Sequence, residues 1–265
     1  MSAYTYHLMY DIRTGLRDKS LMLMNYLFPL GFLLLAGLFM TQVNPFFKDI
    51  MIPGMILFGI MSSTLLNLSS TQIQAREAGI FRSYRVNGVK LSSLVSIPVI
   101  SSIIHSVIVS VIITFLSLLF FDATGPVNWL WFFVVLLGCA ICFSTIGMLI
   151  GIVSPTQRAG ILLAQIVYIP SVILGGLMVP SDMIPTNLQF IVSLLPASHG
   201  IQAFNNLSMG SGNGQFEPLV ILLVSSVMNL FLCAALFQWE AGKHAGKKSF
   251  LGFLALLPFI ASYVL

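Results

Sequence analysis

The chain has 265 residues, of which 57% are hydrophobic and only 8% charged, where soluble domains carry about a quarter. That balance excludes a soluble enzyme and fits one membrane domain of six or seven helices of about 20 residues each, with no room for a sizeable soluble domain. The net charge of +4 is therefore read through its distribution between two membrane faces, and no nucleic-acid partner is expected.

Residues 3–19 set Tyr4, Leu8, Ile12 and Leu16 four apart, flanked by Asp11, Arg13, Arg17, Asp18 and Lys19, which predicts an amphipathic helix at the membrane surface. No short apolar core with a cleavage site precedes Lys19, so no removable signal peptide is expected. Leu21 to Met40 makes a first span, kinked at Pro29, and Ile50 to about Gln72 a second. The stretch 76–90 follows, with four basic residues. At the bilayer centre each would cost roughly 2.5 to 3.5 kcal/mol, so the stretch lies outside the hydrocarbon. Ile80, Phe81, Tyr84 and Val89 give it the spacing of a short amphipathic helix.

Leu91 to Phe121 is uncharged and predicts a long, tilted or broken third span. A turn at Gly125-Pro126 and the interfacial aromatics Trp129 and Trp131 open a fourth, running to about Ile152. Ala159 to Val179 makes the fifth. Between 181 and 217, Pro185, Pro196 and a Gly/Asn/Ser-rich stretch break the apolar sequence into pieces too short to cross, which predicts membrane-dipping helices and a loop. Pro218 to Trp239 makes the sixth span. The last apolar run, 250–265, reaches about 24 Å, short of a core of about 30 Å. A spanning seventh helix and a surface-lying tail both remain open. The expected fold is an all-α polytopic membrane domain over 1–265, with six transmembrane helices, an N-terminal interfacial helix and this seventh apolar segment.

Eleven of the twelve Lys and Arg residues fall on one side of these spans, and Lys48 alone on the other. The positive-inside rule then puts the N-terminus and the stretch 76–90 in the cytoplasm, and 181–217 outside. No catalytic or metal-ligating constellation is present: H-E-x-x-H, G-x-S-x-G and carboxylate clusters within a span are all missing. Cys139, Cys142 and Cys233 sit in apolar runs and read as small hydrophobes. His105, near the head of the third span, reads as a hydrogen-bonded structural residue. Gly147 and Gly151 form a G-x-x-x-G that permits close helix approach, within the chain or between two copies. The run Gly242 to Ser249 lacks the spacing and the strand of a phosphate loop.

Two sets of residues resemble a known family. Arg76-Glu77-x-Gly79 followed by Phe81, Arg82, Tyr84 and Arg85 is similar to the loop between spans two and three of ABC type-2 exporter permeases. Gly175-Gly176-Leu177-Met178-Val179-Pro180, then Ile184-Pro185, then Leu194-Leu195-Pro196, is similar to that family's fifth span and external connection. The order of these motifs extends the resemblance over nearly the whole chain. It implies that the loop forms a coupling helix docking on a separate nucleotide-binding ATPase subunit, with Arg76, Glu77, Phe81, Arg82, Tyr84 and Arg85 as the coupling residues. ATP and Mg would then sit on that partner, and this chain would bind no cofactor. A second permease, forming a homo- or heterodimer, and the lipid bilayer complete the expected partners. Pro180, Pro185, Leu195 and Pro196 are candidates for an external lid. Many members carry Thr-Pro after the coupling helix, where this chain has Asn87-Gly88. The expected function is to move a hydrophobic or amphipathic substrate (drug, antibiotic or lipid-like) out across a bacterial plasma membrane, and the alternative is a non-transporting membrane scaffold or sensor that recruits a cytoplasmic partner.

Overall fold

The computed structural model describes residues 3–44, 47–178, 185–210, 212–239 and 250–264. All regular structure among these residues is helical. Helix α1 (Ala3–Arg17) precedes α2 (Lys19–Val43) and α3 (Phe47–Glu77). A short helix, α4 (Ile80–Val86), leads into α5 (Leu91–Phe121), α6 (Trp129–Val153) and α7 (Gln157–Leu174). Two short helices, α8 (Gln189–Ser193) and α9 (Pro196–Leu207), come before α10 (Glu217–Leu236). A 3-10 segment, Phe250–Leu256, runs into α11 (Leu257–Val264). Six of these helices, α2, α3, α5, α6, α7 and α10, are long and apolar enough to cross a membrane. The protein is an integral membrane protein of the expected all-α, six-span class.

The spans alternate in direction, which gathers the described basic residues other than Lys48 at one end of the bundle. At that basic end Tyr4 of α1 meets Ser96 of α5 at 2.9 Å, and Phe81 packs beside Phe237. At the opposite end Thr124 donates its N–H to the Lys48 carbonyl and its hydroxyl to Asp49. Helices α3 and α6 occupy the centre and are buried along most of their length, while α2 and α7 are largely exposed. The central pair packs closely because Gly147 and Gly151 face α3. A Cβ at Gly147 would collide with the Thr64 carbonyl, and one at Gly151 with Gln72 and the Ser69 carbonyl. The G-x-x-x-G is thus a seam inside the chain.

Two spans carry wide π-helical turns, Leu23–Leu27 in α2 and Ser62–Leu68 in α3. Such turns re-aim side chains that a regular helix would direct elsewhere. Here the two turns face each other, and Asn67 Nδ2 donates to Asn25 Oδ1 at 2.8 Å. Beside them Tyr26 pairs with His105 Nδ1 at 2.6 Å, Ser63 with Ser106 at 2.8 Å and Ser62 with Tyr168 at 3.3 Å. With no water in the hydrocarbon to take these groups, side chains of neighbouring spans satisfy one another, so α2, α3, α5 and α7 are tied at one level. The three cysteines are free and buried.

The connection before α10 dips inward. Gly200 abuts Leu57 and Cys139, each ten residues into its span and therefore about 15 Å from the non-basic end. Helix α9 climbs back from that depth to Ser208, whose carbonyl accepts the N–H groups of Val127 and Asn128. Pro196 takes the first position of α9, where its missing N–H leaves nothing unsatisfied. The last apolar run also enters the bundle. Gly252 lies against Val153 at the basic end, and the buried Phe259 meets the His199 ring at 5.4 Å. The segment packs along α10 and reaches α9.

Candidate functional site

The charged stretch 76–90 divides into three parts. Arg76 and Glu77 are the last turn of α3, which runs past the expected end near Gln72. Ala78 and Gly79 make a turn, with Gly79 at φ 74°, a left-handed conformation that a Cβ would disfavour. Helix α4 then runs for seven residues and stops at Asn87-Gly88. Gly88 is left-handed, its N–H bonds the Arg85 carbonyl, and the Val89 N–H reaches back to the Tyr84 carbonyl. That is a Schellman cap, which ends a helix without proline. Asn87-Gly88 thus supplies a helix exit that needs no proline.

Three side chains hold α4 against the bundle. Phe81 is buried and lies 5.3 Å from Phe237, which is in turn 5.3 Å from Trp239. The Arg85 guanidinium stands 5.8 Å over the Trp239 ring, a cation–π contact. On the other flank Tyr84 Oη lies 3.4 Å from His7 Nε2, with the rings 5.4 Å apart. Burial pushes the Tyr84 phenol above its ordinary range, and Asp11 and Tyr10 of α1 add to the shift.

Turning 100° per residue, a helix that points Phe81, Tyr84 and Arg85 inward must point Arg82, Ser83 and Val86 outward, with Ile80 at the edge. All four of these are exposed, Val86 at 82%, and Arg85 is exposed as well where it lies over the Trp239 ring. The outward face therefore combines one cation with two uncovered aliphatic side chains, a composition that fits a protein surface better than water.

Arg76 and Glu77 turn away from that face. Arg76 is buried and donates through Nη1 to the carbonyls of Gly151, at 3.2 Å, and Ile152, at 2.8 Å, and through Nη2 to the Ser154 carbonyl. Glu77 Oε1 accepts the N–H of Gln157 at 3.2 Å. Of the six expected coupling residues, the structure gathers Phe81, Arg82, Tyr84 and Arg85 on α4 and sends Arg76 and Glu77 to the turn between α6 and α7. Ile80 and Val86 complete the outward face. Val86 was legible as the apolar residue four after Arg82. The supports Phe237 and Trp239 are aromatic residues at the end of the sixth span, and only the folded chain brings them to α4.

Among the lid candidates, Pro185 is exposed, and Leu195 and Pro196 are buried at the inner end of the α8–α9 hairpin. Pro180 lies outside the described residues. Ser198 Oγ donates to the Val192 carbonyl at 2.6 Å and His199 Nε2 bonds the Ser193 carbonyl at 2.8 Å, so the hairpin is closed on itself.

A family model described as ABC-2 type transporter matches residues 4–208, which include all six spans but the last. A protein of Bacillus subtilis (strain 168), carried under the provisional name transport permease YvfS, is 25% identical over 229 residues, or 84% of this chain and 91% of that protein. The first helix, the first five spans and the short helix between the second and third lie within the matched region, and the chain belongs to the ABC-2 type transporter family.

Proposed function

We propose that this membrane subunit is the permease of an exporter and that the outward face of α4 docks on a separate nucleotide-binding ATPase. The supporting observation is the contrast within α4: one side is held by the buried Phe81 and the half-buried Tyr84, with the exposed Arg85 laid over the Trp239 ring, while Ile80, Arg82, Ser83 and Val86 are exposed on the other. A helix held in this way transmits a push instead of absorbing it. ATP and Mg belong to the partner, and this chain binds no cofactor of its own. The basic end faces the cytoplasm of a bacterium by the positive-inside rule, with the N-terminus on that side. A second permease, identical or related, covers the exposed apolar faces of α2 and α7. The substrate is hydrophobic or amphipathic, a drug, antibiotic or lipid-like molecule. It leaves past the connection between the fifth and sixth spans, for which Pro180, Pro185, Leu195 and Pro196 are proposed as the lid.

The test is purification of the tagged chain from its native membrane, followed by vanadate-sensitive ATP hydrolysis in the eluate and ATP-dependent uptake of a lipophilic dye into inverted vesicles. Both activities are expected with the wild type and lost with Arg82→Glu, which still inserts. Retention of a partner with no ATP-dependent movement would point to the scaffold or sensor instead.

A further inference from the structure

Arg76 and Glu77 are adjacent in sequence and serve two helix ends of opposite polarity. The C-terminus of α6 presents unpaired carbonyls and the negative end of its dipole, and the N-terminus of α7 presents unpaired N–H groups and the positive end. The cation goes to the first and the carboxylate to the second. Arg76 reaches three carbonyls because its donors are set in a rigid fork, which a lysine ammonium does not reproduce. A third stitch joins the same two places: the Gln157 side-chain amide donates to Ser70 Oγ.

We propose that the Arg76–Glu77 pair is a staple that makes α4 and the α6–α7 turn one rigid unit, so that force on α4 moves the basic ends of α3, α6 and α7 together. The staple rests on the assignment of α4 as the docking helix, and makes both residues positioning residues that act through other helices. Only Ala78 and Gly79 separate the pair from α4, and this turn is itself bonded back: Ala78 N–H to the Gln74 carbonyl, Gly79 N–H to that of Arg76 and Ser83 N–H to that of Gly79. The exit from α4 is different in kind, because the Asn87-Gly88 cap closes on α4 alone. Motion is therefore passed back to α3, α6 and α7 and relieved toward α5.

The test uses the permease with its copurified ATPase and spin labels at Asn87 and Arg158, both exposed. A second pair joins Arg158 to Met9 on α1. On trapping with ATP and vanadate, the 87–158 distance in the otherwise wild-type complex is expected to change by less than about 2 Å, while the 9–158 distance changes by more, up to the one-turn scale of about 5 Å. With Arg76→Lys or Glu77→Ala added, the 87–158 distance should move on trapping. In the double variant Glu77→Cys/Gln157→Cys, a short thiol cross-linker should restore the fixed distance. A shift of 87–158 in the wild type, a fixed distance in both staple variants, or no rescue by the cross-link overturns the staple. No copurified ATP hydrolysis, or no movement of either pair, overturns the docking assignment on which it stands.

Discussion

Phe81 and Arg82 are neighbours with opposite work. Phe81 is buried against Phe237, and truncation to alanine removes both the ring contact and the cover it provides. Phe81→Ala is expected to destabilise by about 3 kcal/mol, the low end for a buried Phe, and to expose the 76–90 stretch to protease. Arg82→Ala, an exposed substitution, should leave thermal stability in detergent within about 0.5 kcal/mol while weakening ATPase retention. Tyr84 gives a pH test. Its folded pKa lies above the unfolded value, so its stabilising contribution is complete below about pH 10 and is lost as pH rises through the folded value. Ultraviolet difference absorbance should show a tyrosine titrating above that value which is absent in Tyr84→Phe. The sequence distinguished these residues only in part. The charge excess marked the stretch as lying at the surface, and the apolar spacing marked Phe81 and Tyr84 as belonging together. That Arg76 is buried was not legible, because the carbonyls that compensate it lie 75 to 78 residues away.

At the scale of elements, charge and length fixed the number of spans, and local geometry then moved their ends. The third span runs from Leu91 to Phe121 as read from its uncharged run. The fifth stops at Leu174, five residues short of Val179, because Gly175 and the left-handed Gly176 turn the chain. The sixth stops at Leu236, where Phe237 adopts an extended backbone. The π-helical turns in α2 and α3 have no periodic signature, since a single wide turn leaves the apolar pattern of a span unchanged. Their pairing through Asn25 and Asn67 is open to a double-mutant cycle. Asn25→Leu and Asn67→Leu should each cost about 0.6 to 1.7 kcal/mol, the range for interhelical hydrogen bonds in membranes. The double variant should cost clearly less than the sum, measured by reversible unfolding in micelles. Additive losses would mean that the two turns are stabilised separately.

For the whole molecule the question is what covers α2 and α7. The buried spans α3 and α6 need no further partner, but Leu162 and Ile166 of α7 are about two-thirds exposed, as is Phe39 of α2. Lipid can cover such faces, and so can a second permease. The two cases separate by cysteine cross-linking, for which this chain has a low background because Cys139, Cys142 and Cys233 are all buried. Ile166→Cys, oxidised in native membranes, should give a covalent species of twice the permease mass if two identical chains meet there. If the second permease is a different chain, a single α7 cysteine finds no partner, and a bifunctional thiol-and-amine reagent should instead yield an adduct of unequal mass. A face covered only by lipid gives neither product, and in that case Ile166→Lys is expected to block insertion or folding, since an unpaired cation in the hydrocarbon costs about 3 kcal/mol or more. Ile166→Cys therefore tests whether the exposed α7 face meets a second copy of this chain, and a symmetric cross-link would bring two permeases together, each with its own α4 for an ATPase.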